Sequence, residues 1–261
     1  MTGRFVCLMY HQVLPHDPGA NPGDYFAVSR TMFGRHLDAI RAQGLDGVSL
    51  ASALKSPLRP RVAISFDDGT IDHFEHALPE LVARGMTATF FVTATWVGQP
   101  GYASWEQLRM MRAAGMEVGS HTRTHPFLSE ISREELMVEL AQSRVEIEGQ
   151  LGGATPALAL PGGEFPSRDA RDALLEAGYS VVATSRWGSN DDRDEAHVRF
   201  VRRCTVHGRV PDAEFLKIVR GDAVLRWRRM AREILLGAAR TAIGASRYAR
   251  LRRRVLWGLG H

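Results

Sequence analysis

Cysteine is scarce in this chain and long apolar runs are absent. Cys7 and Cys204 are the only cysteines in 261 residues, so no disulfide framework can staple it. Each sits in an apolar, strand-like run, where a buried free thiol is expected. No stretch approaches the roughly 18 apolar residues of a membrane span. The first apolar run, Phe5–Tyr10, ends at His11. It is too short for the apolar core of a secretion signal, and no small-residue cleavage site follows it. A chain made and kept in the cytoplasm is expected. Internal repeats and low-complexity segments are also missing, which excludes solenoid and fibrous architectures.

What remains is the composition of an ordinary globular protein, 44% hydrophobic and 24% charged. The length suits one large α/β domain, or at most two small ones. The formal charge of +4 is unevenly placed. Residues 222–261 hold ten arginines against Asp222 and Glu233, a net of +8, which leaves residues 1–221 at −4. The chain therefore divides into a slightly acidic body, 1–221, and a basic tail, 222–261.

Strand-like and helix-like stretches alternate through the body. Strands are expected over Phe5–Tyr10, Val62–Phe66, Thr87–Val92, Glu117–Ser120, Ala157–Leu160, Val181–Thr184 and Val201–Val206. Helices are expected over Thr31–Ala42, Ile71–Ala83, Ser104–Ala114, Ser132–Leu151, Ser167–Ala177 and Asp212–Val219. Ser104 and Ser132 have the form of N-caps, each with acidic residues in the turn that follows. This alternation predicts parallel strands joined by crossover helices. Polar, reactive residues follow several different strands: Tyr10-His11, Asp67-Asp68, His121 and Pro161-Gly162-Gly163. That placement favours a distorted (β/α) barrel, whose mouth collects strand ends, over an open sheet.

Two clusters carry chemistry. Val62–Phe66 delivers Asp67 and Asp68 into a turn at Gly69, and Ser120-His121-Thr122-Arg123-Thr124-His125 precedes Pro126. Asp-Gly alone is a common turn pair, and two histidines four residues apart occur on solvated helices. Here the histidine segment closes a strand and stops at a proline, so it presents both imidazoles from a loop. One carboxylate with two imidazoles makes a three-ligand divalent-metal site with open positions, and the second carboxylate is left as a base.

Ser65-Phe66-Asp67-Asp68-Gly69 and Ser120–His125 resemble the first two motifs of the NodB-type polysaccharide deacetylases, carbohydrate esterase family 4. Thr89–Val92, Trp105–Leu108 and Gly115–Gly119 are similar to the family's connecting pattern. The resemblance spans roughly residues 5 to 220. It implies a distorted (β/α) barrel that removes acetyl groups from N-acetylated sugars with a divalent metal, Zn²⁺ first, with Co²⁺, Ni²⁺ and Mn²⁺ as alternatives. By position it makes Asp67 the general base and Asp68, His121 and His125 the metal ligands. A backbone N–H near Pro161, Gly162 and Gly163 would serve the oxyanion.

Two features depart from the common pattern. The third motif reads Ala159-Leu160-Pro161-Gly162-Gly163, without the family's arginine that orients the base. Arg202 or Arg203 are the candidate substitutes, with Arg203 preferred. No clean counterpart exists for the late histidine acid; Val206-His207-Gly208 is the nearest. Met9-Tyr10-His11-Gln12-Val13 instead resembles a circularly permuted branch with an N-terminal Tyr-His-x-Val start, which makes His11 the acid. Trp187 is a candidate sugar-stacking residue, and Trp105 is read as a packing residue.

In the tail, Met230, Ala231, Ile234, Ala238, Ala242, Ala245, Tyr248 and Ala249 recur on one helical face, opposite Arg229, Arg232, Arg240, Arg247, Arg250 and Arg254. A basic amphipathic helix reads as a membrane-surface element, and packing on the barrel or on a second subunit is the alternative. No nucleic-acid-reading motif is present. The expected protein is a cytoplasmic N-deacetylase, peripheral at the inner face of the membrane. It would act on N-acetylhexosamine in a bacterial exopolysaccharide or its lipid-linked precursor. The competing readings are a deformylase or other linear-amide hydrolase on a sugar, and a non-catalytic glycan-binding barrel that keeps its metal.

Overall fold

A computed structural model describes residues 3–19, 22–55, 60–163, 168–191, 197–225, 227–229 and 231. The chain opens with β1 (Arg4–Tyr10), passes through the short strands β2 (Val13–Leu14) and β3 (Val28–Ser29), and enters α1 (Arg30–Ala42). β4 (Asp46–Val48) and α2 (Leu50–Lys55) precede β5 (Arg61–Phe66). A π-helical turn, His73–Ala77, then runs into α3 (Leu78–Ala83). β6 (Thr89–Val92), α4 (Trp105–Ala113), β7 (Glu117–Ser120) and α5 (Arg133–Leu151) follow. The chain continues through β8 (Ala157–Ala159), α6 (Arg168–Glu176), β9 (Val181–Ala183), β10 (Ser189–Asp191), β11 (Arg199–Val201), β12 (Cys204–Thr205) and α7 (Asp212–Val219).

Ten strands form one sheet in the order β10-β1-β5-β6-β7-β8-β9-β11, with β4 also on β5 and β12 also on β1. All pairs are parallel except β10 with β1. Only Arg202 and Arg203 separate β11, which pairs with β9, from β12, which pairs with β1. The chain thus steps from one end of the sheet to a strand near the other, and the sheet curls into a nearly closed barrel. The Asn190 side chain bridges the remaining gap, accepting from the Arg202 N–H at 2.8 Å and donating to its carbonyl at 2.9 Å.

The strands alternate between two cores, as their period of two requires. Phe5, Cys7, Ala63, Phe91, Ala157, Ala159, Ala183 and Val201 fill the barrel. Val6, Leu8, Tyr10, Ile64, Phe66 and Phe90 face outward, under the helices, against Phe33, Leu37, Ile40 and Leu81. Every residue of β5 is buried, as in a strand covered on both faces. Parity along β5 then places Asp67 on the same inward side as Ala63 and Ser65. Small lumen residues leave room above them for polar groups.

One expectation is corrected. The strand expected over Val201–Val206 is broken at Arg202–Arg203, because Arg203 turns inward. The helix expected over Ile71–Ala83 is found over those residues, with a π turn at His73–Ala77 inside it. Pro79 has no N–H to donate backward, and the Leu78 N–H bonds five residues back to the His73 carbonyl. The N-caps hold: Ser104 and Ser132 each close a capping box, with Gln107 and Glu135.

Candidate active site

β5 ends at Phe66 and hands Asp67 and Asp68 to a turn that only glycine can complete. Gly69 has φ 75°, and a Cβ there would lie 2.9 Å from Val92 Cγ1. Asp68 itself has φ 77°. Its Oδ1 lies 3.4 Å from His121 Nε2 and 3.6 Å from His125 Nε2. One ligand atom from each of the three residues falls within 4.8 Å of the others. Two nitrogens or oxygens held at about 2.0–2.1 Å on a tetrahedral ion stand about 3.3 Å apart, so the spacing fits one shared divalent cation. The His121 Nδ1–H donates to the Ala159 carbonyl at 2.8 Å, which leaves Nε2 as the ring nitrogen facing Asp68. A metal-ligating imidazole is commonly oriented in this way.

The loop between the two histidines is held from below. Glu139 of α5 accepts from the backbone N–H groups of Arg123 and Thr124, both at 2.8 Å, and from the Thr124 hydroxyl at 2.7 Å. Trp96 stacks on His125, with ring centroids 5.1 Å apart. Asp68, Thr122 and His125 are the three non-glycine residues with positive φ among the described residues. Each such residue costs on the order of 1–3 kcal/mol, and all three lie in the motif loops. Burial opposes the Asp68 charge, but His121, His11 and His125 outweigh it and hold the carboxyl well below the usual range.

Asp67 points into the barrel, close enough to His121 for its charge to act on that ring. Both its oxygens are taken by one guanidinium: Arg203 Nη1 donates to Oδ1 at 2.5 Å and Nη2 to Oδ2 at 2.8 Å. Arg203 is fully buried. Its Nε–H donates to the Thr184 carbonyl at 3.0 Å, and its plane lies over Phe91. Burial alone would raise the Asp67 carboxyl; Arg203 first, then His121 and His11, reverse this and keep it ionised. Arg203 therefore makes the contact missing from the third motif, from a different strand end.

The model of the family described as polysaccharide deacetylase matches residues 55–182, the segment that carries both aspartates, both histidines and Pro161–Gly163. That segment is a polysaccharide deacetylase domain. It is 26% identical over 192 residues to "Putative polysaccharide deacetylase YxkH" of Bacillus subtilis, covering 71% of this chain and 66% of that protein. It is 33% identical over 138 residues to a chitooligosaccharide deacetylase of Bradyrhizobium, covering 52% of this chain and 58% of that protein. The chain thus spans somewhat less than two thirds of these relatives. Among solved structures, IcaB from Ammonifex degensii superposes with a TM-score of 0.70 at 29% identity, covering 83% of this chain and 95% of that one.

His11 leaves the end of β1 on the same side as the two aspartates. It feels the charges of Asp67 and Asp68, yet burial dominates and lowers its pKa. Its ring stacks on Phe26 at 4.9 Å, and its Nδ1 is buried without a hydrogen-bond partner. His207 stacks on Tyr25, two aromatic residues away from His11. The Pro161–Gly163 turn follows β8, with Gly162 at φ 65°. It packs beside the histidine loop, since a Cβ on Gly162 would meet Phe127 at 2.4 Å.

The reading of Trp187 as a sugar-stacking residue does not hold. Trp187 is 8% exposed within the main core and Arg229 lies over its ring at 4.9 Å, so no open face is left for a sugar. Trp105 packs against the main core, as expected. Arg202 is exposed and tied to Asn190. Glu139 was not singled out in the sequence, although a signal exists. It shares the buried face of α5 with Leu136, Leu140, Ser143 and Ile147, and a carboxylate in such a stripe needs donors. Asp72 and His73 gave no such signal.

Proposed function

We propose that this deacetylase is a divalent-metal hydrolase that removes the acetyl group from N-acetylhexosamine units. Its substrate would be a bacterial polysaccharide or the lipid-linked precursor of one. The observation that carries this reading is the separation of two adjacent carboxylates. Asp68 turns to His121 and His125, while Asp67 turns to Arg203. Asp68, His121 and His125 would hold the ion, Zn²⁺ in the first instance, with Co²⁺, Ni²⁺ or Mn²⁺ as alternatives. When bound, the ion polarises the acetyl carbonyl and acidifies a water molecule.

The chain's own groups supply the rest. Asp67, ionised and locked by Arg203, takes a proton from the water as the water oxygen bonds to the acetyl carbon. A backbone N–H at Pro161–Gly163 donates to the carbonyl oxygen as its charge grows; Gly162 and Gly163 have that donor and Pro161 does not. His11 gives a proton to the amine nitrogen as the C–N bond breaks, leaving acetate and a free amine. The missing third-motif arginine favoured a non-catalytic binder; Arg203 answers that objection, and a mere binder has no use for Asp67.

Acetate release from N-acetylglucosamine oligomers, run beside N-formyl analogues, tests the reading. Asp67→Asn is expected to lower turnover by about 10²–10⁴-fold with metal content unchanged. Undiminished turnover in that variant, or turnover of formyl substrates alone, overturns it.

A further inference from the structure

We propose that Asp72 and His73 are positioning residues for the acid, His11. From the turn that carries Asp67 and Asp68 they hold the two peptide groups that follow His11, 11–12 and 12–13. The inference rests on the reading of His11 as the proton donor.

His11 lacks the device that usually aims a histidine. Among the described residues its buried Nδ1 has no hydrogen-bond partner, and the stack on Phe26 restrains the plane of the ring rather than its reach. The ring is therefore aimed by its backbone. The three peptide groups there, 10–11, 11–12 and 12–13, are each tied to the fold. The Tyr10 carbonyl accepts from the Asp67 N–H at 3.1 Å, and the Gln12 carbonyl accepts from the Val28 N–H at 3.0 Å. On the C-terminal side of His11 two further ties use side chains. His73 Nε2 bonds to the His11 carbonyl, which has only acceptor capacity, so the imidazole donates. The Val13 N–H donates to Asp72 Oδ2 at 2.6 Å, a short bond of the charge-assisted kind.

Both clamp residues are buried and rigidly backed. His73 packs against Phe66 and Phe90, and Thr70 Oγ1 lies 3.2 Å from its Nε2. His73 opens the π-helical turn, an irregularity often found at functional sites. The Ile71 N–H reaches the Gly101 carbonyl at 2.9 Å, pinning the turn from the other side. Base, metal ligand and clamp thus lie within residues 67–73, and the acid from the far N-terminal strand is fastened to that one segment. The distance from acid to base is set by the Asp67–His73 turn rather than by the whole barrel.

Leaving groups provide the test. An N-acetyl amine needs a proton to depart, whereas the phenolate of 4-nitrophenyl acetate does not. His73→Leu and Asp72→Ala are expected to lower kcat on N-acetylglucosamine oligomers by about tenfold to a hundredfold. KM and bound metal should be unchanged, and hydrolysis of the phenyl ester should change by less than about threefold, a selectivity that follows from the acid's role. His73→Gln, which can still donate to the His11 carbonyl, should recover most of the amide rate. His11→Ala is the control. If it lowers the amide rate selectively and the clamp variants lower both rates equally, or neither, the clamp proposal falls alone. If His11→Ala shows no selectivity, the acid assignment falls and the clamp goes with it.

Discussion

Arg203 is a cation with no exposed surface, balanced by one carboxylate. Truncating it would leave Asp67 charged and buried without a partner, a loss of about 3–5 kcal/mol. Arg203→Lys is the sharper experiment. An ammonium is a point charge and cannot bond both carboxylate oxygens in one plane. One oxygen of Asp67 then loses its donor, which costs about 1.5–3 kcal/mol of stability. The base also becomes free to rotate, so kcat should fall about tenfold to a hundredfold. Urea unfolding and acetate release read the two effects separately; wild-type values in both would show that the fork is dispensable. A second buried group makes a different statement. His36 stacks on Phe215 at 3.9 Å, with Tyr10 Oη 3.2 Å from its Nδ1. Burial pushes its pKa down from 6.5 to about 4. The folded chain thus favours the neutral ring, while the unfolded chain takes up a proton below 6.5. Its contribution is fully present above pH 6.5 and is lost as pH falls toward 4, to an extent of about 3 kcal/mol. In His36→Gln the fall in unfolding free energy between pH 7 and 4 should be shallower by about that amount. Parallel curves would remove His36 as the cause.

At the scale of elements, α5 is the beam under the metal site. Its capping box at Ser132 fixes where the helix begins, and Glu139 two turns later takes three donors from the histidine loop. Glu139→Gln replaces an oxygen acceptor with an NH₂ donor facing donors. Metal affinity should drop about 10–100-fold while helix content is kept, measurable by competition against a chelator; unchanged affinity would reduce Glu139 to a packing role. The helix and both histidines could be read from the sequence, because capping residues and strand-end polar clusters are local signals. The same holds for β7, expected and found at Glu117–Ser120. The clamp and the Asp67–Arg203 fork could not be read in this way. They join residues 59 to 136 positions apart, and no periodicity marks such partners. Arg203 was within reach only because a missing arginine left a vacancy to fill, and even then the break between β11 and β12 was hidden inside one apolar run. β4 and β10 have three residues each, too short to show a period of two. Trp187 misled because an indole near a barrel mouth looks like a sugar platform until a cation is found over its face.

At the scale of the whole molecule, the charge is segregated: −4 over residues 1–221 and +8 over residues 222–261. The amphipathic face expected from Trp227 onward lies mostly outside the described residues. What is described of the tail is docked. Leu225 packs on the core, Arg229 covers Trp187, and Arg229 pairs with Glu214 of α7, while Trp227 is 71% exposed. Deleting residues 222–261 would therefore uncover Trp187 and unpair Glu214, so any loss of membrane binding in that truncation would be confounded with damage to the barrel. Changing Arg240, Arg247, Arg250, Arg252, Arg253 and Arg254 to Gln leaves Arg229 in place and removes only distal charge. If the tail brings the enzyme to a lipid-linked substrate, each arginine near an anionic surface contributes about 1 kcal/mol. The unaltered chain should float with phosphatidylglycerol-containing vesicles and not with phosphatidylcholine alone. It should be released as salt rises above about 0.1 M, where the screening length shrinks to about 10 Å and below. The six-fold variant should stay in the dense fraction under all these conditions while its acetate release from soluble oligomers is unchanged. Equal flotation of both proteins would end the membrane reading and leave the barrel chemistry standing, because residue 229 is the last point at which a described contact joins the tail to the barrel.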